Sequence, residues 1–111
     1  MQDALKQQKD GKEEFIILEN EEFIGMISPR INNDGTADIG MWVAEQKQRK
    51  GYGREALLAA IEYLKGKGVE RIVYEIDKGN VASMALSTSV GMTPAGSDDK
   101  YHKFILDLMK P

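Results

Sequence analysis

Lys47, Arg49, Lys50 and Arg54 crowd around two glycines, Gly51 and Gly53, at the head of an apolar-periodic segment. A helix N-terminus exposes backbone N–H groups with no intrahelical partner and carries a partial positive charge, so it attracts anions. Glycine there lets the backbone approach a phosphate with no Cβ in the way. The flanking guanidinium and ammonium groups add side-chain charge. A solvated basic loop before a flexible helix start fits the same local pattern, because short motifs recur by chance. Context has to separate the two.

The chain as a whole is acidic, with a net charge of −3 over 111 residues. General nucleic-acid binders carry a basic face, so that class is disfavoured. There is no cysteine, which removes disulfides, thiolate metal sites and a covalent cysteine intermediate, and fits a reducing compartment. No apolar run approaches a membrane span, and the opening MQDALKQQKD is too polar for a signal peptide. The expectation is a cytoplasmic protein made of one domain, residues 1–111, with no metal, no nucleic acid and no membrane partner.

The elements that must position the glycine turn follow from periodicity. Gln2–Lys9 is at most a short helix ending before Gly11. Phe15–Leu18 reads as a strand, Glu19-Asn20-Glu21-Glu22 as a hairpin turn, and Phe23–Ile27 as the returning strand, stopped by Ser28-Pro29. Asn32-Asn33-Asp34-Gly35 is a turn, since Asn, Asp and Gly accept positive φ, and Thr36–Val43 is a third strand. The period then changes. Ala56, Leu57, Ala60, Ile61 and Leu64 recur at helical spacing between Gly53 and Lys65, with Gly66 or Gly68 as the stop. Arg71–Ile76 is a strand whose helical link implies a parallel neighbour. Asn80 caps a second helix, Val81–Val90, closed by Gly91. Met92–Ala95 and Tyr101–Leu108 are the last strands. An α/β (α+β) domain results: a mixed, mostly antiparallel sheet with helices packed on it, and no internal repeat or linker.

In that setting Gln48-Arg49-Lys50-Gly51-Tyr52-Gly53 resembles the Q/R-x-x-G-x-G/A pyrophosphate loop of the GNAT-type, acetyl-CoA-dependent N-acetyltransferases. It stands between the last meander strand and the long helix, as in that family. Ile24-Gly25 is similar to the family's I-G. Asp38-Ile39-Gly40-Met41-Trp42-Val43 resembles A-E-I-G-Y-W-L of the ribosomal-protein N-acetyltransferase-like branch. Asn80-Val81-Ala82-Ser83 with Gly91-Met92 resembles N-x-x-S before G-F. The likeness runs from Phe15 onward. It implies acetyl-CoA as acyl donor, its pantetheine arm along Trp42-Val43 in a cleft where this strand and Arg71–Ile76 splay apart. Its diphosphate would lie on Gln48, Arg49, Lys50, Gly51, Tyr52, Gly53 and Arg54, with Asn80 and Ser83 also facing the cofactor. A helix cap and an ordinary helix serine are the plain alternatives for those last two.

An amine acceptor with a pKa of about 10 must lose a proton before it attacks a thioester. Glu75 is the first candidate base, since Glu75-Ile76-Asp77-Lys78-Gly79-Asn80 resembles E-V-R-x-x-N of the peptide α-amine acetyltransferases; Asp38 is the second. An exposed strand carboxylate in a surface ion pair is the plain alternative for each. Ser87 stands where many family members carry the tyrosine that protonates the leaving thiolate. A thiol with a pKa near 8.5 leaves with little help, and water, Tyr101 or Tyr52 are substitutes. His102 reads as a packing residue. Trp42, Met26, Met41, Met84 and Met92 read as core or cleft lining.

Relative to the family, the usual first strand and first helix are lacking, with residues 1–14 alone before Phe15. An open acceptor site, one completed by a second copy, or a fragment each fits; an uncovered sheet edge favours a homodimer. The expected activity is direct acetyl transfer to a primary amine, on a protein N-terminus, a polyamine or another small molecule. A non-catalytic acetyl-CoA-binding module is the alternative. A dinucleotide site, suggested by Gly51-x-Gly53-x-x-Ala56, fails because Gln46–Lys50 separates the strand from the first glycine.

Overall fold

Alternation in TADIGMWV puts Ala37 and Ile39 on one face of a strand and Asp38, Gly40 and Trp42 on the other. Its neighbours repeat the pattern, and the result is a sheet with one apolar and one mixed face. The computed structural model describes residues 3–9, 12–19, 21–44 and 51–109. In chain order the elements are β1 (Asp3–Lys9), β2 (Lys12–Glu19), β3 (Glu22–Ile31), β4 (Thr36–Val43), α1 (Tyr52–Gly66), β5 (Arg71–Asp77), α2 (Val81–Ser89), β6 (Thr93–Ser97) and β7 (Tyr101–Asp107). They form one seven-stranded sheet in the order β1-β2-β3-β4-β5-β7-β6. Only β4 and β5, the pair joined through α1, run parallel. The expected mixed, mostly antiparallel architecture is met.

Two local expectations are overturned. Residues 3–9 form a strand, not a helix: β1 pairs with β2 from Asp3↔Leu18 to Lys9↔Lys12. The partner edge offered by β2, which begins at Lys12 and not at Phe15, outweighs a weak helical propensity. Nor does Ser28-Pro29 stop β3, which continues to Ile31. The bonds Ala44 N–H to Ile24 O and Asn32 N–H to Thr36 O fix the ladder phase, so Pro29↔Ile39 is a non-hydrogen-bonded pair. The missing N–H of Pro29 therefore faces β2, whose pairing with β3 has already ended at Phe15↔Ile27. Nothing is lost there.

The core lies between the sheet and α1. Ala56, Leu57, Ala60, Ile61 and Leu64 form the buried stripe of α1, set against Ile27, Ala37, Ile39, Ile72, Tyr74, Ile76 and Phe104. Leu57 and Leu64 are fully buried, each stabilising by roughly 1.5–3 kcal/mol. Met84, Leu86 and Val90 bring α2 onto the same core. Gly68, at φ 79°, ends α1 with its N–H on Lys65 O, and Gly91, at φ 96°, ends α2. Between Ile17 and Leu18 the β2–β3 register slips by one residue. That bulge turns Ile24 inward, where it packs with Ile17 and Ala56. The other face of the sheet carries no helix among the described residues. Among those residues, no helix is long and apolar enough to cross a membrane.

Candidate functional site

The parallel ladder between β4 and β5 stops early. It runs from Thr36↔Arg71 to Ile39↔Tyr74, although β4 continues to Val43 and β5 to Asp77. The two strands therefore part where splaying was expected. The phase set by Ala44 N–H on Ile24 O turns the backbone polar groups of Gly40 and Trp42 toward β3. Those of Met41 and Val43 consequently face the gap. Of the expected pair Trp42-Val43, then, Val43 presents its backbone there and Trp42 does not; Met41, which the sequence reading did not single out for this role, does.

Gly25 explains how β3 and β4 stay close at this point. A Cβ on Gly25 would stand 2.1 Å from the Trp42 carbonyl oxygen and 2.8 Å from Val43 Cα. No side chain fits.

Directly beyond β4, α1 begins on Gly51, held at φ 88°, a conformation that glycine alone adopts without cost. Gly51 has no side chain to cap the helix, so nothing from that position covers the N–H groups of Gly53 and Arg54. Glu55 N–H closes the first turn onto Gly51 O at 3.1 Å. A Cβ on Gly53 would meet Leu86 Cδ2 at 3.3 Å and Met41 Cε at 3.6 Å. The missing side chain of Gly53 thus serves close packing of the first turn against β4 and α2, a role the sequence reading gave to ligand approach. Tyr52 packs beside Val43 on the cluster of Ile17, Ile24 and Ala56, and Arg54 is exposed. Lys47, Gln48, Arg49 and Lys50 lie outside the described residues.

The second helix starts differently. Asn80 Oδ1 accepts from Ser83 N–H at 3.1 Å, an ordinary cap. Its Nδ2 donates to nothing among the described residues, so a ligand could still use it. Burial raises the pKa of the Tyr74 phenol, an effect that the neighbouring Ser83 side chain partly offsets. Ser87 is fully buried, and its hydroxyl has no hydrogen-bond partner among the described residues. At that depth it cannot protonate a leaving group.

The candidate bases stand on the helix-free face. In the β4–β5 register Asp38 is level with Val73, so Glu75, two residues further along β5, shares its face, about 8 Å away. Both carboxylates are exposed. Asp38 accepts from Asn32 Nδ2 at 3.4 Å. Glu75 makes no hydrogen bond or ion pair among the described residues. His102 is level with Ile76 on the helix-covered face, as a packing residue would be. Met92 is core, but Trp42 is 55% exposed on the face opposite Met41 and Val43, so the alternative of a core tryptophan is excluded. An apolar cavity of about 130 Å³, lined by Phe15, Ile27, Ala60 and Tyr63 among others, belongs to the helix-covered face and holds none of these groups. Among the described residues no cluster of His, Asp and Glu could hold a metal ion.

The chain as a whole is similar to known proteins. A mycothiol acetyltransferase of Stackebrandtia nassauensis is 29% identical over 84 residues, 72% of this chain and 28% of that protein. The chain thus spans under a third of the length of the curated relatives it matches. Among solved structures, a Bacillus subtilis acetyltransferase in complex with CoA superposes with a TM-score of 0.82 at 20% identity, over 90% of this chain and 79% of that one. A ribosomal-protein-alanine N-acetyltransferase from Brucella melitensis gives a TM-score of 0.77 at 21% identity, over 88% and 70%. Both likenesses establish the fold. The model of the acetyltransferase (GNAT) domain matches residues 1–93, and by that match the chain belongs to the GNAT acetyltransferase family.

Proposed function

We propose that this protein transfers an acetyl group from acetyl-CoA to a primary amine. The observation that carries this is the parting of β4 from β5 after Ile39↔Tyr74, beside the first turn of α1, whose N-cap Gly51 supplies no side-chain cap. When bound, acetyl-CoA supplies the activated acetyl thioester. Met41 and Val43 would pair with the amides of its pantetheine arm. The N–H groups of Tyr52, Gly53 and Arg54, with Gly51 shaping the turn, would hold the diphosphate. Gln48, Arg49, Lys50 and the Arg54 guanidinium would add charge, and Asn80 Nδ2 a further donor. Glu75 takes the proton of the acceptor ammonium, with Asp38 the second candidate. The nitrogen lone pair then forms the new N–C bond as the C–S bond breaks, and water protonates the sulfur.

The acceptor class includes protein N-termini, polyamines and other small amines. The same reading takes the protein as cytoplasmic and homodimeric; light scattering that finds a monomer at micromolar concentration counts against the second. The test of function is thiol release from acetyl-CoA across an amine panel, beside calorimetry of acetyl-CoA binding. One observation favours a second reading, a binding module without catalysis: the residue at the motif's tyrosine position, Ser87, is sealed from any ligand. Binding without thiol release from any amine selects that reading.

A further inference from the structure

The helix-free face bears an aromatic pair that neither the core nor the cofactor cleft uses. Trp42 is 55% and Phe23 44% exposed, with ring centroids 5.6 Å apart and planes tilted by 34°. Large rings left in water forgo substantial burial, and a contiguous exposed apolar patch marks a binding surface. Half-buried Met26, level with Trp42, extends it. Gly40 lies between Asp38 and Trp42 on this face, and a Cβ placed there would meet nothing within 4 Å. The floor is open at that point. Glu75 lies on this same face, one residue beyond the last β4–β5 pair, Ile39↔Tyr74.

Charge on this face is nearly balanced. Arg30 stands across from Asp38, and Lys103 from Glu75. Asp38 and Glu75 are each level with a cation, and of the β5 carboxylates on this face only Asp77 is level with an uncharged partner, Tyr101, so a polycation gains little here.

We propose that the acceptor is an arylalkyl monoamine, its flat ring seated on Trp42 and Phe23 and its amine over Gly40 within reach of Glu75. The inference rests on the acetyl-transfer reading and names the substrate class of that site. A ring on an indole contributes through stacking and burial, while the single ammonium needs one carboxylate and no more.

Trp42 is the only tryptophan in the chain, so its fluorescence reports the site without turnover. Titration with 2-phenylethylamine is expected to change its emission saturably, and titration with spermidine to leave it unchanged. In thiol-release assays kcat/KM for 2-phenylethylamine should exceed that for spermidine or an N-terminal peptide by at least about tenfold. Trp42→Ala should lower it by roughly tenfold through KM and not kcat. Gly40→Val, whose Cβ would meet nothing within 4 Å, fills the floor and should raise KM in the same way. Spermidine or peptide as the faster substrate, with KM indifferent to Trp42→Ala, overturns the proposal. So does emission that responds to protein concentration alone, as a second copy covering the face would produce. Absence of turnover with every amine instead removes the acetyl-transfer reading, whereas a missing fluorescence response removes this one.

Discussion

Gly25 and Gly40 lie on neighbouring strands and should respond in opposite ways to the same added methyl group. At Gly25 the new Cβ would stand 2.1 Å from the Trp42 carbonyl oxygen, with Val43 Cα at 2.8 Å. Both obstacles are backbone, so no rotamer change relieves them. Bringing the closer contact to a tolerable distance requires the end of β4 to withdraw by about 1 Å, in an interior that packs like a crystal. Overpacking of this kind costs about 1–3 kcal/mol. For a domain of this size each kcal/mol shifts Tm by roughly 4–8 °C. Gly25→Ala should therefore lower Tm by at least several degrees, and because it displaces Trp42 and Val43 it should also weaken acetyl-CoA binding. At Gly40 nothing lies within 4 Å of the added atom. Gly40→Ala restricts the unfolded chain and should leave stability unchanged or raise it by roughly 0.4–1 kcal/mol. Thermal melts and calorimetry on the two variants side by side decide the matter. Equal Tm values for both would refute the close approach of β3 to β4 and the cleft geometry built on it.

Other expectations are more local. Glu75→Gln should lower kcat by roughly 10²–10⁴-fold while leaving acetyl-CoA affinity intact; steady-state kinetics with calorimetry checks this, and an unchanged kcat removes Glu75 from the role of base. Ser87→Ala deletes a buried hydroxyl that has no partner among the described residues and should stabilise by about 1 kcal/mol, seen as a higher urea midpoint. Backbone N–H groups of Tyr101 and then Lys100 hold the Asp98 carboxylate below its ordinary pKa. A carboxylate depressed in the folded state contributes stability above its unfolded pKa and loses it as pH falls through the folded value. Asp98→Asn should therefore weaken the pH dependence of Tm on the acid side of the carboxylate range and leave the neutral-to-basic side flat.

Most strands from Phe15 onward were legible as short apolar runs or alternating segments bounded by turn residues, and α1 because its apolar residues recur at helical spacing on a stripe that is in fact buried. The N-terminal strand was not. DALKQQK has no apolar alternation, and what holds it extended is the edge of β2, a partner that no local pattern reveals. Pro29 misled for a related reason. Its missing N–H matters only if a strand lies on that side, and β2 has already ended its pairing.

At the site, the glycine turn could be read from spacing and the outward face of Glu75 from alternation, whereas the parting of the strands was implied by the resemblance to the GNAT family and not by any local pattern. The exposure of Trp42 was also implicit in the alternation of TADIGMWV, given that Met41 and Val43 face inward. Phe23 was hidden by the β2–β3 bulge, which shifts phase at Ile24. Met41 as a backbone partner required the ladder phase, which follows from the single bond of Ala44 to Ile24. The sealing of Ser87 depends on how α2 sits on the core, and the helix sequence alone does not fix that.

The most direct test of the central claim is the amide ¹H–¹⁵N spectrum of this protein during titration with CoA. If the uncapped start of α1 clasps the diphosphate and the gap beside β4 receives the arm, the largest shifts fall on Tyr52, Gly53 and Arg54, followed by Met41 and Val43. Saturable shifts confined to other parts of the sheet, with those amides unmoved, would contradict it.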